Sequence, residues 1–337
     1  MSDTNHVWRL RKRPVGELSD DVLSYESEAI PEPAEGECLF RLNYLSLDPT
    51  NRIWMSDMDQ YMPPVELGAP MRGVVCGTVV KSRSPAYKEG EIVSGLGVWA
   101  DYQVGAPGMI NPLGDTGPVP VVDAFGTFAV VGPTAYFGLL DIGDPQPGET
   151  VVVSAAAGAV GSIVGQIAKL KGCRAVGLAG SDDKCRWITE ELGFDAAINY
   201  KTEDVPAALA KACPDGIDVY FDNVGGDILD ACLKLMNFKG RIPTCGLISQ
   251  YNATEPPPGP MNYPMILMQR LKVQGFIVLD YAERYPEAIA DLSQWMGEGK
   301  IKIRQDVVDG LENALQTLKK LYTGANTGKL MVRVKDV

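Results

Sequence analysis

Eighteen consecutive uncharged residues, Val151 to Ala168, run through the stretch VVVSAAAGAVGSIVGQIAKLKG, and its centre, SAAAGAVGS, consists almost wholly of side chains no bigger than a methyl. No other segment restricts the fold as much. The pattern predicts a buried strand over 151–153, a turn, and a helix over 162–171. A small-residue turn between strand and helix lets backbone come within contact distance of a pyrophosphate, while the helix N-terminus offers N–H donors and a positive dipole end. Ala155, Gly158 and Gly161 form A-x-x-G-x-x-G where the familiar fingerprint is G-x-G-x-x-G. Tight strand–helix packing would select the same residues without a ligand, so position has to decide.

Position favours the ligand. From about residue 129 to 299 the chain alternates strands with helical stretches, at 151–154, 174–178, 196–199, 219–222, 240–245 and 273–278, as right-handed βαβ units in a parallel sheet do. The small-residue turn heads that series. Residues 1–128 instead carry short β-like runs at 39–42, 74–80, 91–95 and 99–104, separated by Gly, Pro and Asp, which predicts a barrel-like β domain. A closing helix (311–321) and strand (329–334) follow, so the expected domains are 1–128 with 300–337, and 129–299. At 337 residues, two cores are expected.

Composition excludes several roles. The net charge is −12, and a field of that sign repels nucleic-acid and anionic membrane surfaces. Ser, Gly and Gln interrupt the 151–168 run, and Gly132 and Pro133 interrupt 124–140, so neither is expected to span a membrane. Seven cysteines (38, 76, 173, 185, 213, 232 and 245) show no zinc-knuckle spacing and read as reduced thiols in a cytoplasmic protein. The one histidine, His6, is expected exposed in a mobile N-terminus; a His-based metal site or Ser-His-Asp triad lacks its central part. No metal is expected.

The end of the second strand reads AGSDDK. An NAD site wants an acid there for the ribose 2′-OH, but Ala179, Gly180 and Ser181 occupy it and Asp182 and Asp183 come a step late, where a helix N-terminus favours them anyway. Lys184 can face a 2′-phosphate, which points to NADP(H). A capped helix with an exposed lysine would look the same.

PGETVVVSAAAGAVGS, GSDDK, NYK (199–201), FDNVGG (221–226), CGLISQYN (245–252), KVQGFIV (272–278) and GANTGKL (324–330), with LNYLSLDPTNRIWM and YMPPVELGAPMRG near the start, together resemble the zinc-free medium-chain dehydrogenases/reductases. Within that superfamily they are similar to the leukotriene B4 dehydrogenase, prostaglandin reductase and double-bond (2-alkenal, curcumin) reductase branch. The resemblance implies an α/β protein with a GroES-like β-barrel domain, a Rossmann doubly wound parallel sheet, NADPH in the cleft between them, and a homodimer through the sheet edge of the cofactor domain. By position it implies that Gly158, Ala159, Val160 and Gly161, with Ala157 beside them, meet the pyrophosphate. Lys184 and Tyr200, with Ser181, would surround the 2′-phosphate, and Asn223 would lie beside the dinucleotide. Cys245, Gly246 and Ser249 would run along the nicotinamide half, Phe276 to Val278 would reach its carboxamide, Thr134 would lie near its ring and Asn326 would close over it. Tyr200 as a packed aromatic, Asn223 as a turn residue and Cys245 as a core filler are the plainer alternatives.

The chemistry so implied is hydride addition to an alkene activated by a conjugated carbonyl, in a small-molecule enal or enone of unspecified size. The enolate left behind needs a hydrogen-bond donor where its charge develops. The resemblance offers Tyr251, and a phenol of ordinary pKa, about 10, is protonated at neutral pH and can donate. Its plainer role is to shape the pocket. Thr50 and Asn51 stand where the family often has an aromatic and a methionine facing substrate, which predicts a more polar or differently shaped pocket, with Tyr61 as another wall. Arg52 is expected as an ion pair or backbone clamp, or as a pocket edge. A quinone reductase of the same superfamily and a non-catalytic NADPH-binding protein are the rival readings.

Overall fold

The computed structural model describes residues 4–117 and 119–337. The chain divides into two compact units, Met1–Ala129 with Gln305–Val337, and Val130–Arg304. In the first unit lie β1 (Thr4–Leu10), β2 (Leu23–Ala29), β3 (Cys38–Ser46), β4 (Arg72–Ser82), β5 (Ile92–Val98), β6 (Tyr102–Gly105) and β7 (Ile110–Pro112). The second holds β8 (Thr150–Val153), β9 (Arg174–Ala179), β10 (Ala196–Asn199), β11 (Ile217–Phe221), β12 (Met236–Thr244) and β13 (Lys272–Gly275). The chain then returns to the first with β14 (Gln305–Asp309) and β15 (Lys329–Arg333).

The first unit is GroES-like. Its main sheet runs β14-β15-β3-β4-β5-β7, with β6 also pairing β3, and β1 and β2 form an antiparallel ribbon. Leu10, Phe40, Leu42, Leu45, Met71 and Trp99 fill its core, and Leu315 and Leu318 of the helix Ala314–Thr323 pack against it. Beneath them sits a buried ion pair: the Lys329 ammonium, 4% exposed, reaches Asp48 at 2.6 Å and the Leu47 carbonyl at 3.1 Å. His6 is neither mobile nor simply exposed. It lies in β1, stacks on Tyr25 and meets the Asp101 carboxylate at 2.7 Å, a partner 95 positions away that no local pattern discloses.

The second unit is the Rossmann sheet, ordered β10-β9-β8-β11-β12-β13 with every neighbouring pair parallel. Thr150–Val153 is buried throughout, as a central strand covered on both faces must be. Chain order reverses between β8 and β11, and ligands of such sheets bind beyond the carboxyl ends at that point. Among the boundaries that differ from expectation, two shape the ligand face. The helix after β8 spans Ala159–Leu170, starting three residues early because small residues adopt helical backbone without needing the apolar period that marks a helix in sequence. The sixth strand ends at Gly275, and the Phe276 ring turns against Phe221. Among the described residues no single helix is long and apolar enough to cross a membrane.

Candidate active site

The turn after β8 is fastened from within. Ala155 sits in the left-handed region at φ 48°, the Ala156 N–H donates to the Leu178 carbonyl at 2.9 Å, and the Gly158 N–H returns to the Ala155 carbonyl at 2.9 Å. The glycines then divide by purpose. A Cβ on Gly161 would lie 2.4 Å from the Ala155 carbonyl oxygen, and one on Gly165 would enter the Phe194 ring. Those two are small so that the helix can seat. A Cβ on Gly158 would meet only the Ala155 carbonyl oxygen, at 3.1 Å. Gly158, Ala159 and Val160 are half-buried, and no side chain caps the helix they begin, so the first-turn N–H groups face outward past a bare backbone. Ala157 and Gly161 are buried beside them.

At the ends of β9 and β10, Ser181 caps the helix Asp182–Arg186, its hydroxyl accepting from the Lys184 N–H at 3.3 Å. Asp182 accepts from the Asn199 amide at 2.6 Å and Asp183 pairs with Arg186, so both acids have work other than holding a ribose. Tyr200 is 37% exposed, and its hydroxyl lies 2.8 Å from where a Gly180 Cβ would stand, with the Lys201 side chain at 3.3 Å. Gly180 is therefore small because a phenol and a lysine stem cross it. Lys201 is a further basic residue here that the strand-end pattern did not single out; its place directly after the tyrosine was the available signal.

Beyond β11, the Asn223 amide nitrogen donates to the Ser154 carbonyl at 2.8 Å, and its N–H to the Ser154 hydroxyl at 2.9 Å, joining the β8 and β11 ends. The loop after β12 is tied to this corner. Cys245 and Gly246 N–H groups donate to the Asp222 carbonyl at 2.8 and 3.1 Å, and the Ser249 hydroxyl to the Val224 carbonyl at 2.5 Å. Tyr251 follows, half-buried, its hydroxyl accepting from the Leu247 N–H at 3.0 Å. Burial, with the Asp222 charge adding to it, pushes the Cys245 thiol up to about 12, so it is neutral at physiological pH and no nucleophile. Phe276 packs over Gly138, where a Cβ would meet its ring at 2.4 Å, and Val278 is buried. Thr134 is 8% exposed, with its hydroxyl returned to the Val130 carbonyl at 2.8 Å.

In the first unit, Thr50 and Tyr61 share a hydroxyl–hydroxyl hydrogen bond, and the Trp54 indole N–H also donates to the Tyr61 oxygen at 3.1 Å. Burial raises the Tyr61 phenol. Residues Met58 to Pro64 line an open recess of about 340 Å³. Asn51 is 1% exposed; its amide oxygen accepts from the Asp48 N–H at 2.8 Å and its nitrogen donates to the Arg72 carbonyl at 3.3 Å. Arg52 clamps backbone, donating to the Pro14 and Gly16 carbonyls, each at 3.2 Å. The Asn326 amide donates to the Gly328 carbonyl at 3.2 Å. Among the described residues no three His, Cys, Asp or Glu side chains gather as a metal would require.

A GroES-like unit continuous with a Rossmann sheet is the build of a medium-chain dehydrogenase/reductase. Residues 6–113 match the family model described as the N-terminal domain of oxidoreductase, and residues 159–294 the one described as zinc-binding dehydrogenase. The NADPH-dependent curcumin reductase of Escherichia coli K12 is 47% identical over 98% of this chain and 97% of its own. Prostaglandin reductase 1 of Rattus norvegicus is 41% identical over 97% and 98%. The crystal structure of CurA from Vibrio vulnificus in complex with NADPH superposes with a TM-score of 0.93 at 44% identity, covering 98% of this chain and all of that one. The chain belongs to the zinc-free, curcumin and prostaglandin reductase branch of the medium-chain dehydrogenases/reductases, and is an oxidoreductase.

Proposed function

We propose that this protein reduces the carbon–carbon double bond of α,β-unsaturated aldehydes and ketones with NADPH. The observation that carries the reading is the Tyr251 phenol, fastened by the Leu247 N–H on the loop leaving the carboxyl end of β12. The names of the curcumin and prostaglandin reductase relatives support it. The residues present suit the cofactor. Gly158 to Val160 offer bare backbone and helix N–H groups to a pyrophosphate, and Lys184 and Tyr200, with Ser181, offer charge and hydrogen bonds to a 2′-phosphate. When bound, NADPH supplies the hydride that adds to the substrate's β-carbon.

The chain's own groups do the rest. As the β-carbon gains the hydride, charge moves to the carbonyl oxygen, and the Tyr251 O–H is the donor for it. The hydrogen bond that its oxygen accepts from Leu247 stabilises negative charge on that oxygen, which makes the phenol a stronger donor. Asn223 locks the corner on which the cofactor rests, while Cys245, Gly246, Ser249, Phe276, Val278 and Thr134 of the same unit serve its nicotinamide end; Asn326 belongs to the other unit. Thr50 puts a hydroxyl, bonded to the Tyr61 hydroxyl, where relatives often carry an aromatic side chain, and Asn51 acts behind it as a brace. Holding cofactor and alkene in register supplies much of the rate.

NADPH oxidation, followed by its near-ultraviolet absorbance against a small enal, an aryl enone, a long-chain enone and a quinone, with NADH as control, tests the reading. Enone-dependent consumption with a saturated carbonyl product is expected. Turnover of quinone alone would make it a quinone oxidoreductase, and tight NADPH binding without turnover a non-catalytic binder.

Two further properties belong to the same reading. The seven cysteines are all unpaired, as befits a cytoplasmic protein. The chain forms a homodimer through β13, an edge strand flanked by exposed Phe238, Met261, Leu267, Val273 and Leu279. Sedimentation equilibrium should return twice the chain mass.

A further inference from the structure

Asp222 is wholly buried, yet carries a carboxyl group that the chemistry above does not use. Burying an ionisable group is costly unless hydrogen bonds repay it. Here a single oxygen collects them: Oδ1 accepts from the Val224 N–H at 2.9 Å, the Gly225 N–H at 2.8 Å and the Tyr220 hydroxyl at 2.8 Å, with the Ser154 hydroxyl at 3.5 Å. Oδ2 is buried with no partner. The main-chain carbonyl of the same residue takes the Cys245 and Gly246 N–H groups.

These bonds lead to one place. By holding the Val224 and Gly225 N–H groups, the carboxyl sets the turn in which Gly225 and Gly226 both have positive φ, at 70° and 57°. That turn presents the Asn223 carbonyl to the Ile248 N–H at 3.4 Å and the Val224 carbonyl to the Ser249 N–H at 3.2 Å and to its hydroxyl. It leaves no room for slack: a Cβ on Gly225 would lie 2.8 Å from the Leu247 side chain, and one on Gly246 would lie 3.2 Å from the Tyr251 hydroxyl. Leu247 in turn holds that hydroxyl.

We propose that Asp222 is a positioning residue that sets the place of the Tyr251 phenol through the Val224–Gly225 turn and the 245–251 loop. The proposal rests on the reading that Tyr251 meets the substrate. An acceptor-only oxygen suits the task because it gathers three donors at one point, and a charged or strongly polarised acceptor holds them more tightly than a neutral one. Alanine would leave three donors unserved and the turn untied. Asparagine keeps an acceptor at Oδ1 and nearly the same shape.

Asp222→Ala and Asp222→Asn are to be made in the natural chain and in the Tyr251→Phe background. Steady-state kinetics with an enone, NADPH titration by fluorescence, and amide hydrogen exchange across 245–251 are the readouts. Asp222→Ala is expected to lower kcat, measured at NADPH concentrations that the titration shows to be saturating, about 10-fold or more, in the range of losing a positioned donor. Exchange at Leu247 to Tyr251 should quicken. Asp222→Asn should restore both. In the Tyr251→Phe background, Asp222→Ala should lower kcat by less than about 2-fold, because residues acting through one another are not additive.

An equal kcat loss in both backgrounds, or unchanged exchange in Asp222→Ala, overturns the proposal. Should that variant not fold, Ser249→Ala, which removes the exposed hydroxyl tie to Val224, takes its place and must quicken the same exchange; unchanged exchange then overturns it. A protein that reduces no enone refutes the proposed function, while the exchange result still decides whether Asp222 holds the loop.

Discussion

Gly161 stands so close to Ala155 that a methyl on it would lie 2.4 Å from the Ala155 carbonyl oxygen and 2.9 Å from the carbonyl carbon, whereas Gly158 has only that oxygen nearby, at 3.1 Å. The fold needs the first glycine more than the second, which is proposed to stay bare for the cofactor.

Alanine substitutions should separate the two. Gly161→Ala forces backbone against backbone and is expected to cost about 1–3 kcal/mol in denaturant unfolding, the usual penalty of overpacking. Gly158→Ala, at an ordinary negative φ of −85°, should cost far less stability but weaken NADPH binding, read by fluorescence titration. Equal stability losses would show that Gly158 is also a packing residue.

Lys184 is proposed to meet the 2′-phosphate that distinguishes NADPH from NADH. A hydrogen bond to a charged group contributes about 1.5–3 kcal/mol, so Lys184→Ala should weaken NADPH binding about 10-fold or more. NADH binding should stay as it was, and calorimetric titration of both dinucleotides checks this. A parallel loss for the two would assign the lysine to the helix that Ser181 caps.

For Tyr251→Phe, removal of one donor from the developing enolate is expected to lower kcat about 10- to 100-fold, at or below the ordinary worth of such a donor, with residual turnover from orientation alone. NADPH affinity should not change. Product analysis should still find the saturated carbonyl.

Asp222 carries a pH signature. Burial raises its carboxyl above the ordinary value of 3.8 in spite of the bonds to Gly225, Val224 and Tyr220 that work the other way. A raised folded-state value favours the protonated form, so the stability it contributes is full below pH 3.8 and is lost as pH rises through the folded value. Asp222→Asn cannot ionise. The melting temperature of Asp222→Asn relative to the natural chain should therefore climb as pH rises above 3.8 and level off once the raised folded value is passed. A difference that stays flat or falls from pH 3.8 upward would mean that the carboxyl is not raised.

Much of the molecule was legible along the chain because it depends on neighbours in sequence. The valine run of β8, the small-residue turn and the strand–helix alternation prescribe a parallel sheet with its ligand face at the carboxyl ends, and the late acids after Ser181 are there to be read. Such features repeat with the period of a strand or a helix.

What remained belonged to pairs far apart in the chain, brought together by the sheet order and side-chain packing. His6 meets Asp101, Lys329 meets Asp48, and Asn51 turns inward to the Arg72 backbone. Only the folded sheet shows that Tyr200 and Lys201 cross Gly180, or that Gly161 is more tightly packed than Gly158. Backbone period and side-chain size are local properties, so the two folds and the small-residue turn after β8 could be read along the chain. Which polar groups are spent on the framework emerges only on folding, because burial and hydrogen-bond partners exist only once distant strands are side by side.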